Sequence, residues 1–286
     1  MVEVLSEYSS NLGEGTVWSA KLNSLFWLDI NNRLFLSWTE GMVKKHQLPF
    51  FSSKIVLNSD DLHSVWLITN IGLVNLSLDS MDYDVVLRFP FDSSIIRGND
   101  GVVDPNGNLW FGTMAFNADE KSGGIHVIDS NGTFKTIIPN FGIPNTFVWL
   151  TNNEILISDS FKKLTYKYTV DFNSLSIVSR EIFHDFSSVS GTPDGGIMLA
   201  DGSVLIANWG GNCLSRHDKN GNLLQTIDLP VTQPSCVIAG GEMLNKLFVT
   251  SATESLSVEN TNEFDGKLLL LESDFIGHQP ISFSMN

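Results

Sequence analysis

Leu109-Trp110-Phe111-Gly112-Thr113 is one of six similar short runs in this chain of 286 residues. Each run is built from leucine, β-branched and aromatic residues and ends on a small or polar residue, a composition typical of a buried strand. A repeat of such runs at intervals of roughly 40 to 50 residues predicts a propeller with one blade per repeat. The other five copies are Leu25-Phe26-Trp27-Leu28-Asp29, Val65-Trp66-Leu67-Ile68-Thr69, Ile155-Leu156-Ile157-Ser158-Asp159, Val204-Leu205-Ile206-Ala207-Asn208 and Leu247-Phe248-Val249-Thr250-Ser251.

The repeat therefore predicts an all-β fold: a six-bladed β-propeller with four-stranded antiparallel blades around a central channel. We predict that a short strand within residues 2–6 completes the last blade, because joining the two ends of the chain removes an exposed sheet edge. Residues 1–286 are then expected to form a single propeller domain. The blades are expected at roughly 12–50, 51–92, 97–140, 143–189, 191–230 and 233–275.

Composition and charge narrow the class of function. The formal net charge of −15 argues against a nucleic-acid partner, because phosphate binding needs a basic surface. No apolar run approaches the length of a membrane span, and the acidic start, Met1 to Glu7, does not resemble a signal peptide. Cys213 and Cys236 lack the close spacing of a disulfide framework or a zinc site. We expect a cytoplasmic protein, either a monomer or a weak homo-oligomer, with no membrane partner and a small-molecule substrate.

A second repeat marks the strand that precedes each buried run. Glu14, Asn145 and Asp194 occupy equivalent places at the start of such strands. If these strands are the innermost ones, the three side chains gather at one mouth of the channel. They offer two carboxylates and one carbonyl, the hard oxygen donors that suit a divalent cation such as Ca²⁺ or Mg²⁺. Without a cation, two carboxylates about 4 Å apart would repel by roughly 4 kcal/mol.

Four quoted segments carry a resemblance to a known family: Leu12-Gly13-Glu14-Gly15-Thr16-Val17-Trp18, residues 97–107 beginning Arg97-Gly98-Asn99-Asp100-Gly101, Leu109-Trp110-Phe111-Gly112-Thr113-Met114, and Pro193-Asp194-Gly195. In this order, and with similar text over nearly the whole chain, they resemble the SMP-30/gluconolactonase/luciferin-regenerating-enzyme family, which includes regucalcin. The resemblance implies a propeller that holds one divalent cation (Ca²⁺, Zn²⁺, Mg²⁺ or Mn²⁺). It also implies a metal-dependent hydrolase that opens the ring ester of a sugar (aldono)lactone such as gluconolactone.

The resemblance further implies roles for single residues. Glu14, Asn145 and Asp194 match the metal ligands of the family, and Asp194 would also be the general base. Asn99 matches a residue that lies near the metal and the substrate. Arg97 matches a residue that contacts the sugar hydroxyls.

The chain departs from the family pattern at three places near these residues. Gly98 stands where an aromatic residue is common, and Thr146-Phe147 follows Asn145 where Gly-Leu is usual. Asn117 lies where some relatives place an acidic residue that touches the substrate, so it is a further substrate-binding candidate. The identity of the sugar is therefore left open.

Two alternatives remain beside a sugar lactonase. The same metal site could act on another ester or on a phosphotriester. Alternatively, the propeller could bind calcium without any turnover. We favour an enzyme, because Arg97 and Asn99 are expected at the same mouth as the metal ligands.

Overall fold

The computed structural model describes residues 2–285. In this part of the chain, strands β1 to β24 form six four-stranded antiparallel sheets, and the only helical element is a single 3-10 turn at Val258–Asn260. The predicted fold class, an all-β six-bladed propeller with four-stranded blades, is confirmed. We number the blades 1 to 6 in chain order.

Two compact units divide the chain. The first unit comprises residues 1–49 and 186–279 and holds blades 1, 5 and 6. Its strands are β1 (Val2–Val4), β2 (Gly13–Ser19), β3 (Ser24–Asp29), β4 (Leu34–Thr39), β5 (Met42–Gln47), β18 (Thr192–Met198), β19 (Val204–Trp209), β20 (Cys213–His217), β21 (Leu223–Asp228), β22 (Pro234–Gly240), β23 (Lys246–Ser251) and β24 (Leu269–Glu272).

The second unit comprises residues 50–185 and 280–286 and holds blades 2, 3 and 4. Its strands are β6 (Ser52–Leu57), β7 (Ser64–Thr69), β8 (Gly72–Ser77), β9 (Tyr83–Arg88), β10 (Ile96–Val103), β11 (Leu109–Ala115), β12 (Gly123–Ile128), β13 (Phe134–Phe141), β14 (Pro144–Trp149), β15 (Glu154–Asp159), β16 (Leu164–Asp171) and β17 (Ser176–Asp185). Every blade lies within a few residues of its predicted range. The prediction of one domain over residues 1–286 stays a prediction.

Within each unit the core lies between neighbouring blades. Trp110 and Ile125 of blade 3 share a cluster with Phe147 and Ile157 of blade 4. In the first unit, Trp27 of blade 1 belongs to the same cluster as Phe248 and Leu270 of blade 6. The six recurring runs form the second strand of each blade and are almost wholly buried, whereas the fourth strands β5, β9 and β21 are largely exposed. Burial on both faces explains why the second strands read as continuous apolar runs.

A buried aspartate fixes the hairpin between β10 and β11. Asp104 is wholly buried, and its carboxylate accepts hydrogen bonds from the backbone N–H of Asn106 and Asn108 at 2.8 and 2.9 Å. It also accepts one from Trp110 Nε1 at 2.9 Å. Two residues of the turn and Trp110, the second residue of β11, are thus held by one side chain.

The two ends of the chain are both paired with blades. Strand β1 pairs antiparallel with β24, with Val4 opposite Leu269, so the predicted closing of the last blade is confirmed. Near the other end, Phe283 is wholly buried against Trp66 of blade 2, and Trp66 Nε1 donates to its carbonyl oxygen at 3.1 Å. No repeat or motif in the sequence predicts a role for this C-terminal segment. Among residues 2–285 there is no helix whose length and hydropathy would allow it to span a bilayer.

Candidate functional site

All six blades share one irregularity in their first strand. Where the first strand pairs with the second, the register shifts, as a β-bulge does. The shifts fall between Glu14 and Val17, Ser52 and Lys54, Gly98 and Gly101, Asn145 and Val148, Pro193 and Gly196, and Pro234 and Cys236. A bulge re-aims the side chains beside it and often lies next to an active site. Glu14, Asn99, Asn145 and Asp194 all lie at or within these bulges.

In the second unit, three of the predicted residues form one hydrogen-bonded chain. Arg97 Nη1 donates to Asn99 Oδ1 at 2.7 Å, and also to the carbonyl oxygen of Gly98 at 2.8 Å. Asn99 Nδ2 donates to Asn145 Oδ1 at 2.8 Å. Asn145 Nδ2 in turn donates to Ser160 Oγ at 2.9 Å. Arg97, Asn145 and Ser160 are buried, so the chain of bonds lies in surroundings where polar groups need such partners.

Backbone strain lies directly beside Asn145. Thr146 is wholly buried and has a φ of 53°, the left-handed region that a β-branched residue rarely adopts. Gly15 follows Glu14 in the same way with a φ of 64°. Left-handed backbone at a non-glycine residue costs of order 1–3 kcal/mol and tends to occur at functional sites.

A buried ion pair supports the same bulge. Lys54 Nζ lies 2.8 Å from Asp100 Oδ1, and the side chains are only 17% and 9% exposed. The second oxygen of Asp100 accepts a hydrogen bond from the backbone N–H of Phe147 at 3.4 Å. Blade 2 and blade 3 therefore both help to hold the backbone that follows Asn145.

In the first unit, Glu14 and Asp194 lie on strands that pack against β22. Thr16 Oγ1 donates to Cys236 Sγ at 2.9 Å, which joins the bulges of β2 and β22. A Cβ added at Gly195 would lie 2.9 Å from the Cα of Cys236, so glycine allows β18 to approach β22 this closely. Asp194 is 6% exposed and Glu14 is half-buried, with its Oε2 accepting the backbone N–H of Gly15 at 3.0 Å.

Comparison with known proteins defines the family. The sequence profile described as SMP-30/Gluconolactonase/LRE-like region matches residues 12–253, more than four-fifths of the chain. The chain belongs to this family. The resemblance seen in the sequence is thereby confirmed.

Relatives within the SMP-30/gluconolactonase family include two named lactonases. Pentonolactonase XacC of Haloferax volcanii is 29% identical over 248 residues, which cover 85% of this chain and 82% of the relative. A 6-deoxy-6-sulfogluconolactonase of Pseudomonas putida is 29% identical over 254 residues, covering 87% and 86%. A crystal structure of regucalcin from Agrobacterium tumefaciens, described as a calcium-binding protein, aligns with a TM-score of 0.91 at 25% identity and covers 98% of this chain and 96% of its own.

Asn117 does not join the hydrogen-bonded chain of the second unit. It is exposed in the connection between β11 and β12, two residues beyond the end of β11. Arg97 pairs opposite Met114 near that end of the strand. Asn117 thus lies in the connection that follows β11, and β11 is the strand that pairs with the strand of Arg97.

Three residues that support the predicted ones carry no function that the sequence predicts: Lys54, Asp100 and Ser160. Asp100 stands beside Asn99 in a quoted segment, so its position in phase with the repeat was a usable signal. Lys54 and Ser160 carry no such signal, because only the folded register brings them to Asp100 and Asn145.

The donor chemistry of the predicted metal ligands fits a hard divalent cation. Glu14 and Asp194 bring carboxylates and Asn145 brings an amide oxygen, the ligand types that Ca²⁺ and Mg²⁺ prefer. Among residues 2–285, no group of three or more His, Cys, Asp and Glu side chains is arranged to hold a metal ion. The predicted set contains two such side chains, its third donor being a carboxamide.

Proposed function

We propose that this protein is a metal-dependent sugar lactonase, which opens the ring ester of an aldonolactone such as gluconolactone. The observation that carries the proposal is the family match over residues 12–253, which includes all the predicted metal ligands. The names of the two lactonase relatives agree with the predicted enzyme class. The strained, hydrogen-bonded bulge at Asn145 supports a functional role for that position.

Glu14, Asn145 and Asp194 are the residues proposed to hold one divalent cation. When bound, such a cation would polarise the lactone carbonyl or lower the pKa of a bound water towards neutrality. The oxygen donors admit Ca²⁺, Mg²⁺, Mn²⁺ or Zn²⁺. The description of the Agrobacterium structure as calcium-binding supports Ca²⁺ as the first ion to test.

Asp194 is proposed to act as the general base. Hydrolysis joins the oxygen of water to the carbonyl carbon of the lactone and breaks the ring C–O bond. The carboxylate of Asp194 would take the proton from the attacking water, and a proton ends on the released alcohol oxygen. General base catalysis of this kind contributes about 10²- to 10⁴-fold to a rate.

Arg97, Asn99 and Asn117 are proposed to bind the sugar. The guanidinium of Arg97 carries five N–H donors, which suit hydroxyl and ring oxygens. Arg97 Nη1 donates to Asn99 Oδ1, so the two side chains lie next to each other and would contact the same substrate molecule. Asn117 would reach the substrate from the exposed connection that follows β11.

The test is hydrolysis of a panel of sugar lactones in Ca²⁺, Mg²⁺, Mn²⁺ and Zn²⁺, with a chelator for comparison. We expect wild-type activity that the chelator removes and the metal restores. Asp194→Asn keeps the shape of the side chain but removes the base, so kcat is expected to fall at least about 100-fold.

Asp201→Asn is the matched control, since Asp201 is a half-exposed carboxylate of the same blade that pairs with Arg216. It is expected to keep wild-type kcat within about twofold. Near wild-type turnover in Asp194→Asn would defeat the mechanism. Turnover of an aryl ester or phosphotriester in place of every lactone would favour the second enzymatic alternative, and metal binding with no turnover would favour a calcium-binding propeller.

A further inference from the structure

The carboxamides of Asn99 and Asn145 form one hydrogen-bonded chain, and Arg97 at one end of it fixes which atom of each amide donates and which accepts. At one end is Arg97, a side chain that can only donate. Its Nη1 lies 2.7 Å from Asn99, so the atom of Asn99 that faces it must be the oxygen. The nitrogen of Asn99 then faces away from Arg97, and it donates to the carbonyl oxygen of Pro144 at 2.9 Å and to Asn145 at 2.8 Å.

The orientation of the Asn99 amide also fixes that of the Asn145 amide. Because it receives an N–H from Asn99, the receiving atom of Asn145 must be Oδ1. Its nitrogen consequently lies on the other side, where Ser160 Oγ accepts from it at 2.9 Å. A carbonyl oxygen has two acceptor lone pairs, so Oδ1 can accept from Asn99 and still act as a ligand.

We propose that Ser160 and Arg97 are positioning residues that lock these two carboxamides, so that Asn145 presents its oxygen and not its nitrogen to a divalent cation. This inference rests on the metal-ligand role proposed for Asn145. The orientation matters because the terminal torsion of an asparagine is broad and nearly two-fold, so that sterics alone do not choose between oxygen and nitrogen. A flipped amide would point N–H groups at a positive charge.

The effect of losing such support is large enough to measure. Partners that orient a metal ligand typically change metal affinity by 10- to 100-fold when they are removed. Ser160 is 7% exposed and is placed by its own backbone, whose N–H donates to the carbonyl oxygen of Ile143 at 2.9 Å. Its hydroxyl is therefore held beside Asn145 by the chain that leads into β14.

The first experiment measures the Ca²⁺ dissociation constant of the full-length protein by isothermal titration calorimetry. Ser160→Ala is expected to weaken Ca²⁺ binding about 10-fold or more. Ser160→Cys keeps the size of the side chain but offers only a weak acceptor, so it is expected to weaken binding in the same direction. Ser160→Thr, which keeps the hydroxyl, is expected to stay within about threefold of wild type.

A matched control is available in the same unit. Ser64 is also buried, and its Oγ accepts a hydrogen bond from the carboxamide of Asn58 at 2.9 Å. Ser64→Ala removes this bond and a second, longer one from the carboxamide of Asn75 at 3.4 Å, and it is expected to leave Ca²⁺ affinity unchanged. Thermal unfolding of each variant shows whether the folded state is kept.

The second experiment repeats Ser160→Ala in an Asn145→Asp background. A carboxylate has two equivalent oxygens and needs no choice of orientation, so the loss caused by Ser160→Ala is expected to shrink to less than about threefold. A purely structural role of Ser160 would give the same loss in both backgrounds.

Equal losses in the two backgrounds, no loss in the first, or a wild-type protein that binds no Ca²⁺ would each overturn the inference. The proposed function is tested separately by lactone turnover. A wild-type protein that binds Ca²⁺ and hydrolyses no lactone would defeat the proposed function and leave the positioning role standing.

Discussion

His126 is a histidine kept neutral by its surroundings. It is 2% exposed, and the rings of Phe91, Phe111 and Phe134 lie 4.9, 5.3 and 5.2 Å from its ring. Its Nε2 lies 2.9 Å from the hydroxyl of Thr113, and its Nδ1 lies 3.1 Å from the hydroxyl of Thr136. Because a hydroxyl can donate or accept, these two partners satisfy both nitrogens of a neutral imidazole. Burial lowers the pKa of His126 from 6.5 to about 4.

We expect His126 to make the folded protein less stable as the pH falls below 6.5. Above pH 6.5 the histidine is neutral in both folded and unfolded chains, so its contribution does not vary with pH. As the pH falls from 6.5 to about 4, the unfolded chain takes up the proton and the folded chain does not, so the free energy of unfolding falls by about 3 kcal/mol. Urea denaturation of wild type and His126→Gln across this range measures the difference. The free energy of unfolding of wild type, measured relative to that of His126→Gln, is expected to fall by about 3 kcal/mol from pH 6.5 to about 4, and a difference that does not change with pH would contradict the account.

Single residues of the site differ in how far the sequence reveals them. Glu14, Asn145 and Asp194 stand in phase with the repeat, so their equivalence can be predicted from spacing and family resemblance. Ser160 acts through a contact between β14 and the turn after β15, and Lys54 through a contact between blades 2 and 3. Such contacts depend on register and packing, which no local pattern in the sequence encodes.

At the scale of the strand, the predicted site residues are positioned by the bulges of the first strands. The runs of apolar residues predict the second strands well, because burial on both faces leaves a continuous apolar signature. The register shift of each first strand has no such signature. In two of the blades it contains left-handed backbone, at Gly15 with a φ of 64° and at the strained Thr146 with a φ of 53°, so the same local conformation is reached by different residues.

The strand that closes blade 6 gives a test at this scale. Val4 of β1 is half-buried against the cluster formed by blades 5 and 6, whereas its neighbour Glu3 points outward. Val4→Lys is expected to lower the free energy of unfolding by about 1 to 2 kcal/mol, because it loses this apolar contact. Glu3→Lys, the control on the same strand, is expected to change it by less than about 0.5 kcal/mol. Equal effects of the two changes in urea denaturation would argue against packing of β1 on the core.

At the scale of the whole chain, the repeat and the family agree, and the two chain ends show where prediction stops. Strand β1 was predicted because an unpaired edge strand is a liability that propellers avoid. The C-terminal segment has no repeat to mark it, yet Phe283 is wholly buried on blade 2. Its docking depends on an indole and a strand edge distant in sequence, a partner that can be identified only in the folded chain.

The most direct test of the account is a crystal structure of the protein grown with saturating Ca²⁺. We expect one bound ion with oxygen atoms of Glu14, Asn145 and Asp194 all within about 2.3–2.6 Å, the range of Ca²⁺–oxygen bonds in proteins. The Asn145 ligand is expected to be Oδ1, with its nitrogen on Ser160. An ion bound elsewhere, or saturating Ca²⁺ with these three oxygens more than about 5 Å apart, would contradict the shared site on which the proposed lactonase depends.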